Sequence, residues 1–168
     1  MNTKKKVLTI LGILISLILI LFFIRLFSDR HLDDVHPLIS CDENLLKKSD
    51  VYAVIPIYSN ISISEDKKWC DNILKYNKRL ILHGVYHTYN EFIEDRNQEY
   101  IDKGSLIFQE CFNFFPTEFK PSQLAISRNN KILLKKNFVL HTMFTQIFHK
   151  VYHCNDTGKF SNRFNDWF

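Results

Sequence analysis

The segment LHGVYHTYNEF, residues 82–92, sets His83 and His87 four positions apart. Two imidazoles at that spacing can share a divalent cation through their ring lone pairs, so the pair points to metal chemistry. Seven histidines in 168 residues yield an H-x-x-x-H pair by chance in about one such chain in four, and spacing alone therefore decides little. A zinc peptidase of the H-E-x-x-H kind carries glutamate directly after the first histidine; Gly84 stands there instead, which disfavours that chemistry. A two-histidine site still lacks a carboxylate. Asp33-Asp34 offers two, one to complete a metal site and one to take a proton from a bound water. Adjacent aspartates also occur on surfaces with no such role, so the question becomes whether the surrounding elements bring these residues together.

VYAVIPIY (51–58) is a β-branched and aromatic run that reads as a buried strand, and RLILH (79–83) reads as the next. PTEFKP (116–121) suits a short strand and NFVLHT (137–142) another. Between them lie helical stretches. CDENLLKKS (41–49) is helix-compatible, and SISEDKKWCDNILKYN (62–77) opens with serine and acids and keeps Trp69, Ile73, Leu74 and Tyr76 on one face. NEFIEDRNQEYIDKGSLIFQECF (90–112) reads as a helix broken near Gly104, and SRNNKILLKK (127–136) as a further helix. Strand and helix alternate up to five times, which predicts an α/β domain with parallel strands. Function in such folds gathers at the carboxyl ends of strands. His83 closes RLILH, Lys120 closes TEFK, His141 closes NFVLH, and Asp33 and Asp34 follow the first candidate strand. That first strand looks nearly absent, because HLDD follows an apolar segment almost at once.

The apolar segment runs from Val7 to Ile24 without a charge, and it extends to Phe27 if Arg25 snorkels. It is long for a signal peptide and lacks a small-residue cleavage pattern, so an uncleaved transmembrane anchor over 7–27 is expected. Lys4, Lys5 and Lys6 should keep residues 1–6 in the cytosol and send 28–168 across as a single domain on the extracytoplasmic side. Of the 22 basic residues, four are these lysines and Arg25; the other 18 balance the 18 acidic ones. No basic surface is left for a nucleic acid. Cys41, Cys70, Cys111 and Cys154 could pair in an oxidising compartment, but spacing does not say how, and a buried thiol at Cys70 or Cys111 is as good a reading. The aromatic tail GKFSNRFNDWF is expected to pack Trp167 and Phe168 into the core.

Taken in order, Asp33-Asp34-Val35, then Leu82-His83-Gly84-Val85-Tyr86-His87 with Glu91-Phe92, then Phe119-Lys120-Pro121 resemble the polysaccharide-deacetylase (NodB-homology) superfamily. The likeness is greatest to its branch of predicted deacetylases with an L-H-G-x-x-H motif, and it covers residues 31 to 168. The resemblance implies a distorted or incomplete (β/α) barrel behind one transmembrane helix. It also implies metal-dependent removal of an acetyl group from a glycan. Carried over by position, Asp33 is the catalytic base; Asp34, His83 and His87 hold a divalent metal, most suitably Zn²⁺. Lys120, before proline where the family has arginine, orients the base with a less planar grip. A late strand should deliver a general-acid histidine: His141 is assigned, with His149 and His153 as the other candidates. About five strands are countable where the family's barrel has about seven. A catalytically inactive descendant of the same fold, binding carbohydrate or serving assembly, is the alternative. A plain anchored interaction domain with an accidental histidine pair is a third reading.

Overall fold

A computed structural model describes residues 3–168. Its first element, α1 (Thr3–Phe27), is an apolar helix long enough by length and composition to cross a membrane, and none of its most hydrophobic stretch is buried against the rest of the chain. The sheet begins immediately after it. β1 spans Arg30–Val35, a full six-residue strand where the sequence left little room for one. The chain then forms α2 (Glu43–Lys48), β2 (Val51–Val54), a two-residue hairpin of β3 (Ile57–Tyr58) and β4 (Ile61–Ser62), α3 (Lys67–Lys75) and β5 (Arg79–His83). It continues through α4 (Gln98–Phe112), β6 (Glu118–Lys120), α5 (Arg128–Leu134), β7 (Val139–Leu140), α6 (Met143–Phe148), β8 (Lys150–His153) and α7 (Asn162–Trp167).

Six strands form one sheet in the order β7-β6-β5-β2-β1-β8, every pair parallel. The two edge strands do not pair with each other, so the barrel is incomplete. Its curl is nonetheless evident: the His31 ring on β1 lies 5.3 Å from the ring of His141, just past β7, and 4.9 Å from that of His149, just before β8.

Successive side chains on a strand face opposite ways, and the two faces here differ in kind. Leu32, Tyr52, Val54, Leu80, Leu82 and Phe119 face outward into one core with Ile73 and Cys70 of α3 and Ile101, Phe108 and Phe112 of α4. The inward positions hold only a small apolar cluster, Val51, Ala53 and Ile81. The remaining inward residues are buried and polar: His31, Asp33, His83 and Lys120. Register adds to parity. Asp33 sits beside His153, and His83 beside Lys120, so the carboxyl ends of four strands carry chemistry to one end of the barrel.

Several expectations need correction. The segment 90–97 is a loop, because Asn97 caps α4 by accepting from the Tyr100 N–H at 2.9 Å. Gly104 does not break α4: a Cβ there would lie 3.0 Å from the Val85 side chain, so the glycine lets helix and loop approach. β2 stops at Val54 and the rest of VYAVIPIY, past Pro56, becomes the edge of the hairpin. Trp167 is 77% exposed rather than in the core, whereas the Phe168 ring packs against Phe22 and Phe164. Arg25 does not snorkel. It is buried, donating to the carbonyls of Gln146 and Ile147 at 3.1 and 3.0 Å and to Asn165 Oδ1 at 2.9 Å, and so ties α1 to α6 and α7. All four cysteines pair: Cys41–Cys154 and Cys70–Cys111, spanning 113 and 41 positions. On chain-entropy reasoning each closure is worth about 4–5 kcal/mol.

Candidate metal centre

Neighbouring aspartates on a regular strand would point to opposite faces. Asp34 escapes this because its φ is +63° and the β1–β2 register shifts between Leu32 and Val35. This left-handed bulge, which aspartate tolerates better than most residues, turns Asp34 back to the side that Asp33 already faces. Both carboxylates are buried and line one cavity with His83 and His87.

His83 arrives at the end of β5 with its Nδ1 3.0 Å from the carbonyl oxygen of Lys120. A carbonyl only accepts, so Nδ1 must carry the proton and Nε2 keeps a bare lone pair aimed into the cavity. His87 comes from the loop after β5, and the loop's shape explains the glycine between the histidines. The buried Glu91 carboxylate accepts from three consecutive backbone N–H groups, those of Val85, Tyr86 and His87, at 2.9, 2.8 and 3.1 Å. It also accepts from the Tyr100 hydroxyl at 2.7 Å and the Ser122 hydroxyl at 3.1 Å. Gly84 has φ +64°, and a Cβ there would sit 2.3 Å from Glu91 Oε2. Glycine at 84 is therefore what lets the carboxylate reach the amides that set His87 in place.

The result is a tight triangle. Asp34 Oδ1 is 3.4 Å from His83 Nε2 and 3.1 Å from His87 Nε2, and the two Nε2 atoms are 3.2 Å apart. Ligand atoms about 2.0–2.1 Å from a tetrahedral zinc are separated by about 3.3 Å, so the donor set matches such an ion in both chemistry and spacing. The other oxygen of Asp34 is already committed: Oδ2 accepts from His153 Nδ1 and from Thr157 Oγ1, both at 3.0 Å. Those bonds fix which oxygen faces the imidazoles.

Asp33 lies beside this triangle, and both its oxygens contact Lys120 Nζ, at 2.8 and 2.6 Å. The ammonium thus spans the carboxylate, and the grip is closer than the loss of a guanidinium fork suggested. Burial pushes the Asp33 carboxyl up, but Lys120, His83 and His153 outweigh it and hold it down at about 2. At Asp34 burial likewise raises, while the hydrogen bond from His153 and the nearby imidazoles of His83 and His87 hold the carboxyl well below its usual range.

Of the six residues singled out in the sequence, Asp33, Asp34, His83, His87 and Lys120 converge and His141 does not. Its Nε2 is 2.7 Å from Glu118 Oε2 and its Nδ1 3.2 Å from Thr145 Oγ1, and it does not line the cavity. The late histidine at the site is His153. Its Nε2 has no hydrogen-bond partner among the described residues and stands 3.9 Å from Asp33 Oδ2. The signal for it was KVYH, a short β-branched and aromatic run ending in histidine as RLILH does, but without a helical pattern on either side to mark it as a strand. Glu91 stood within the recognised motif, and nothing in the sequence told what it binds.

No family model matches the sequence, and no curated protein matches it. Solved structures do match in fold. A polysaccharide deacetylase from Bacillus cereus superposes with a TM-score of 0.52 at 10% identity, over 68% of this chain and 58% of that one. A peptidoglycan N-acetylglucosamine deacetylase gives 0.49 at 13% identity, over 67% of this chain and 54% of that one. A mutant of a CE4-family pseudoenzyme gives 0.45 at 10%, over 67% and 42%. The chain thus spans little more than half the length of the deacetylases it matches. Parallel α/β topology, an incomplete barrel and the superposition on the Bacillus cereus enzyme agree: the chain has the fold of a polysaccharide deacetylase.

Proposed function

We propose that the protein is a membrane-anchored, metal-dependent deacetylase-like hydrolase that removes acetyl groups from a glycan, of the branch carrying the L-H-G-x-x-H motif. The carrying observation is the triangle of Asp34 Oδ1, His83 Nε2 and His87 Nε2, with edges of 3.1 to 3.4 Å. These residues would hold a divalent ion, most suitably Zn²⁺, with a fourth position open. When bound, such an ion supplies a Lewis acid for the acetyl carbonyl and an acidified water.

The chain's own groups divide the remaining work. Asp33 would take a proton from water in the cavity, and Lys120, bonded to both its oxygens, would hold it in orientation. His153 Nε2 faces the same space without a partner and is the group placed to give a proton to the departing nitrogen or oxygen, a role that fits it better than His141. Water's oxygen joins the acetyl carbon, the bond from that carbon to the sugar's nitrogen or oxygen breaks, and acetate leaves. α1 anchors residues 28–168 through the span 7–27, and the lysines of residues 1–6 favour a cytosolic N-terminus. Two disulfides suit an oxidising, extracytoplasmic compartment.

One observation favours the second reading, an inactive carbohydrate-binding or assembly module: a carboxylate held at about 2 beside a buried lysine is a weak base. The test is metal content of the purified full chain before and after chelation, followed by acetate release from an N-acetylated oligosaccharide. About one ion per chain is expected, with turnover lost in Asp33→Asn while metal is kept. Metal without turnover selects the second reading, and absence of metal overturns both.

A further inference from the structure

The cavity that holds the metal triangle encloses about 670 Å³, and its lining has two parts. The polar part includes Asp33, Asp34, His83, His87, Lys120 and His153, with Gln123, Gln146 and Lys159 also on the lining. The apolar part, Leu21, Met143, Ile147, Phe160, Phe164 and Phe168, gathers at the end next to α1, where the Phe164 ring meets those of Phe160 and Phe168 and the Phe168 ring meets Phe22. Leu21 belongs to α1 itself. It sits six residues before the end of that helix, about 9 Å at 1.5 Å per residue, and so within the stretch read as membrane-spanning. Arg25, one turn on, lies in the same wall with its guanidinium spent on Gln146, Ile147 and Asn165. It locks the helix against α6 and α7 and is not free to bind a ligand. Beside this wall α6 also exposes Phe144, at 69%, and Phe27 at the end of α1 is 84% exposed.

A site built to receive a free polymer in water gains nothing from an apolar end that incorporates the anchor. We infer that the cavity takes an acetylated sugar carried on an apolar chain held in the same bilayer. The sugar lies at the metal triangle and the chain runs along Ile147, Phe160 and Phe164 past Leu21 into the lipid. This assignment rests on the anchored-hydrolase reading and names the substrate class for it. The anchor then serves two ends: it tethers the domain, and it forms part of the entrance through which the substrate arrives.

The test uses the full chain, metal-loaded and in lipid nanodiscs, with dodecyl and methyl N-acetyl-β-glucosaminides below micelle-forming concentrations. The dodecyl compound should show kcat/KM at least about tenfold higher. Ile147→Asp and Phe160→Ser should each lower the dodecyl-to-methyl ratio about fivefold. Phe115→Ser, at a residue 58% exposed and outside the cavity, should leave the ratio unchanged. Equal turnover of the two compounds overturns the inference and leaves the hydrolase reading standing. A preference that survives in both cavity variants reflects partitioning into the bilayer and also overturns it. Calorimetric binding to the Asp33→Asn chain separates the two claims. Chain-dependent binding that both variants abolish, with no turnover by the native protein, keeps the apolar site and sinks the hydrolase; no preferential binding sinks the site.

Discussion

Two histidine clusters share the interior of this barrel, and among the described residues only one brings its ligand atoms close enough to share an ion. At the carboxyl end, His83 and His87 present Nε2 atoms 3.2 Å apart with Asp34 Oδ1 closing the triangle. Deeper in, His31 has the rings of His141 and His149 at 5.3 and 4.9 Å, yet the nitrogens are dispersed. His141 is bonded to Glu118 and Thr145, His149 Nδ1 donates to the Asp29 carbonyl, and neither nitrogen of His31 has a partner among the described residues. Imidazoles brought close do not make a metal site. The lone pairs must be freed by fixing the tautomer on the far side of each ring, and then aimed. The Lys120 carbonyl does the first for His83, and Glu91 does the second for His87 through the loop backbone.

The sharpest way to break the contrast is to delete one ring from each cluster. His83→Ala and His87→Ala should each abolish metal retention by elemental analysis, while His31→Ala should leave it intact; equal behaviour of all three would refute the ligand assignment. Removing the aiming device comes next. Glu91→Gln puts an amide donor opposite three backbone donors, and metal affinity should fall about 10–100-fold by competition with a chromophoric chelator. Gly84→Ala strains a φ of +64° and crowds Glu91, so chemical denaturation should show a loss of about 2 kcal/mol.

A pH-dependent effect lies in the inner cluster. Burial, with Lys120 adding to it, holds the His31 imidazole down to about 3 against an ordinary value of 6.5. The unfolded chain therefore takes up a proton below pH 6.5 that the folded chain refuses until about pH 3. Stability from this group is complete above 6.5 and is lost as pH falls toward 3, with a slope approaching 1.4 kcal/mol per pH unit. His31→Leu should flatten that part of the curve in thermal melts between pH 6.5 and pH 4. An unchanged slope would place the titration elsewhere.

Much was readable in the linear chain because parity and strand ends are local properties. RLILH specifies a strand with Leu80 and Leu82 on one face and His83 on the other, whatever surrounds it, and β5 occupies those five residues. The same logic found Lys120 closing TEFK, and α1 followed from an unbroken apolar run. Where a signal depended on partners, reading failed. KVYH is a strand because β1 offers it an edge, so only the sheet order picked His153 out of the three candidate late histidines. His141 closes a strand as His83 does, but β7 is the far edge and turns it into the inner cluster.

The sequence by itself determined the helix that precedes the domain, the α/β alternation and five of the site's residues. The first two rest on an apolar run and on periodicity, and the residues on the ordered motifs D-D, L-H-G-x-x-H and F-K-P and the family they resemble. Tertiary structure alone decided that Asp34 turns back beside Asp33, that Glu91 shapes the His87 loop, which late histidine reaches the cavity, and how the cysteines pair. Those outcomes depend on a left-handed backbone angle, on a carboxylate buried against the loop amides, and on the order in which strands assemble. Even where the partners are close in sequence, as Glu91 and the 85–87 amides are, what holds them comes from afar: Ser122 and Tyr100 bond the same carboxylate, and the β2 register accompanies the bulge at Asp34.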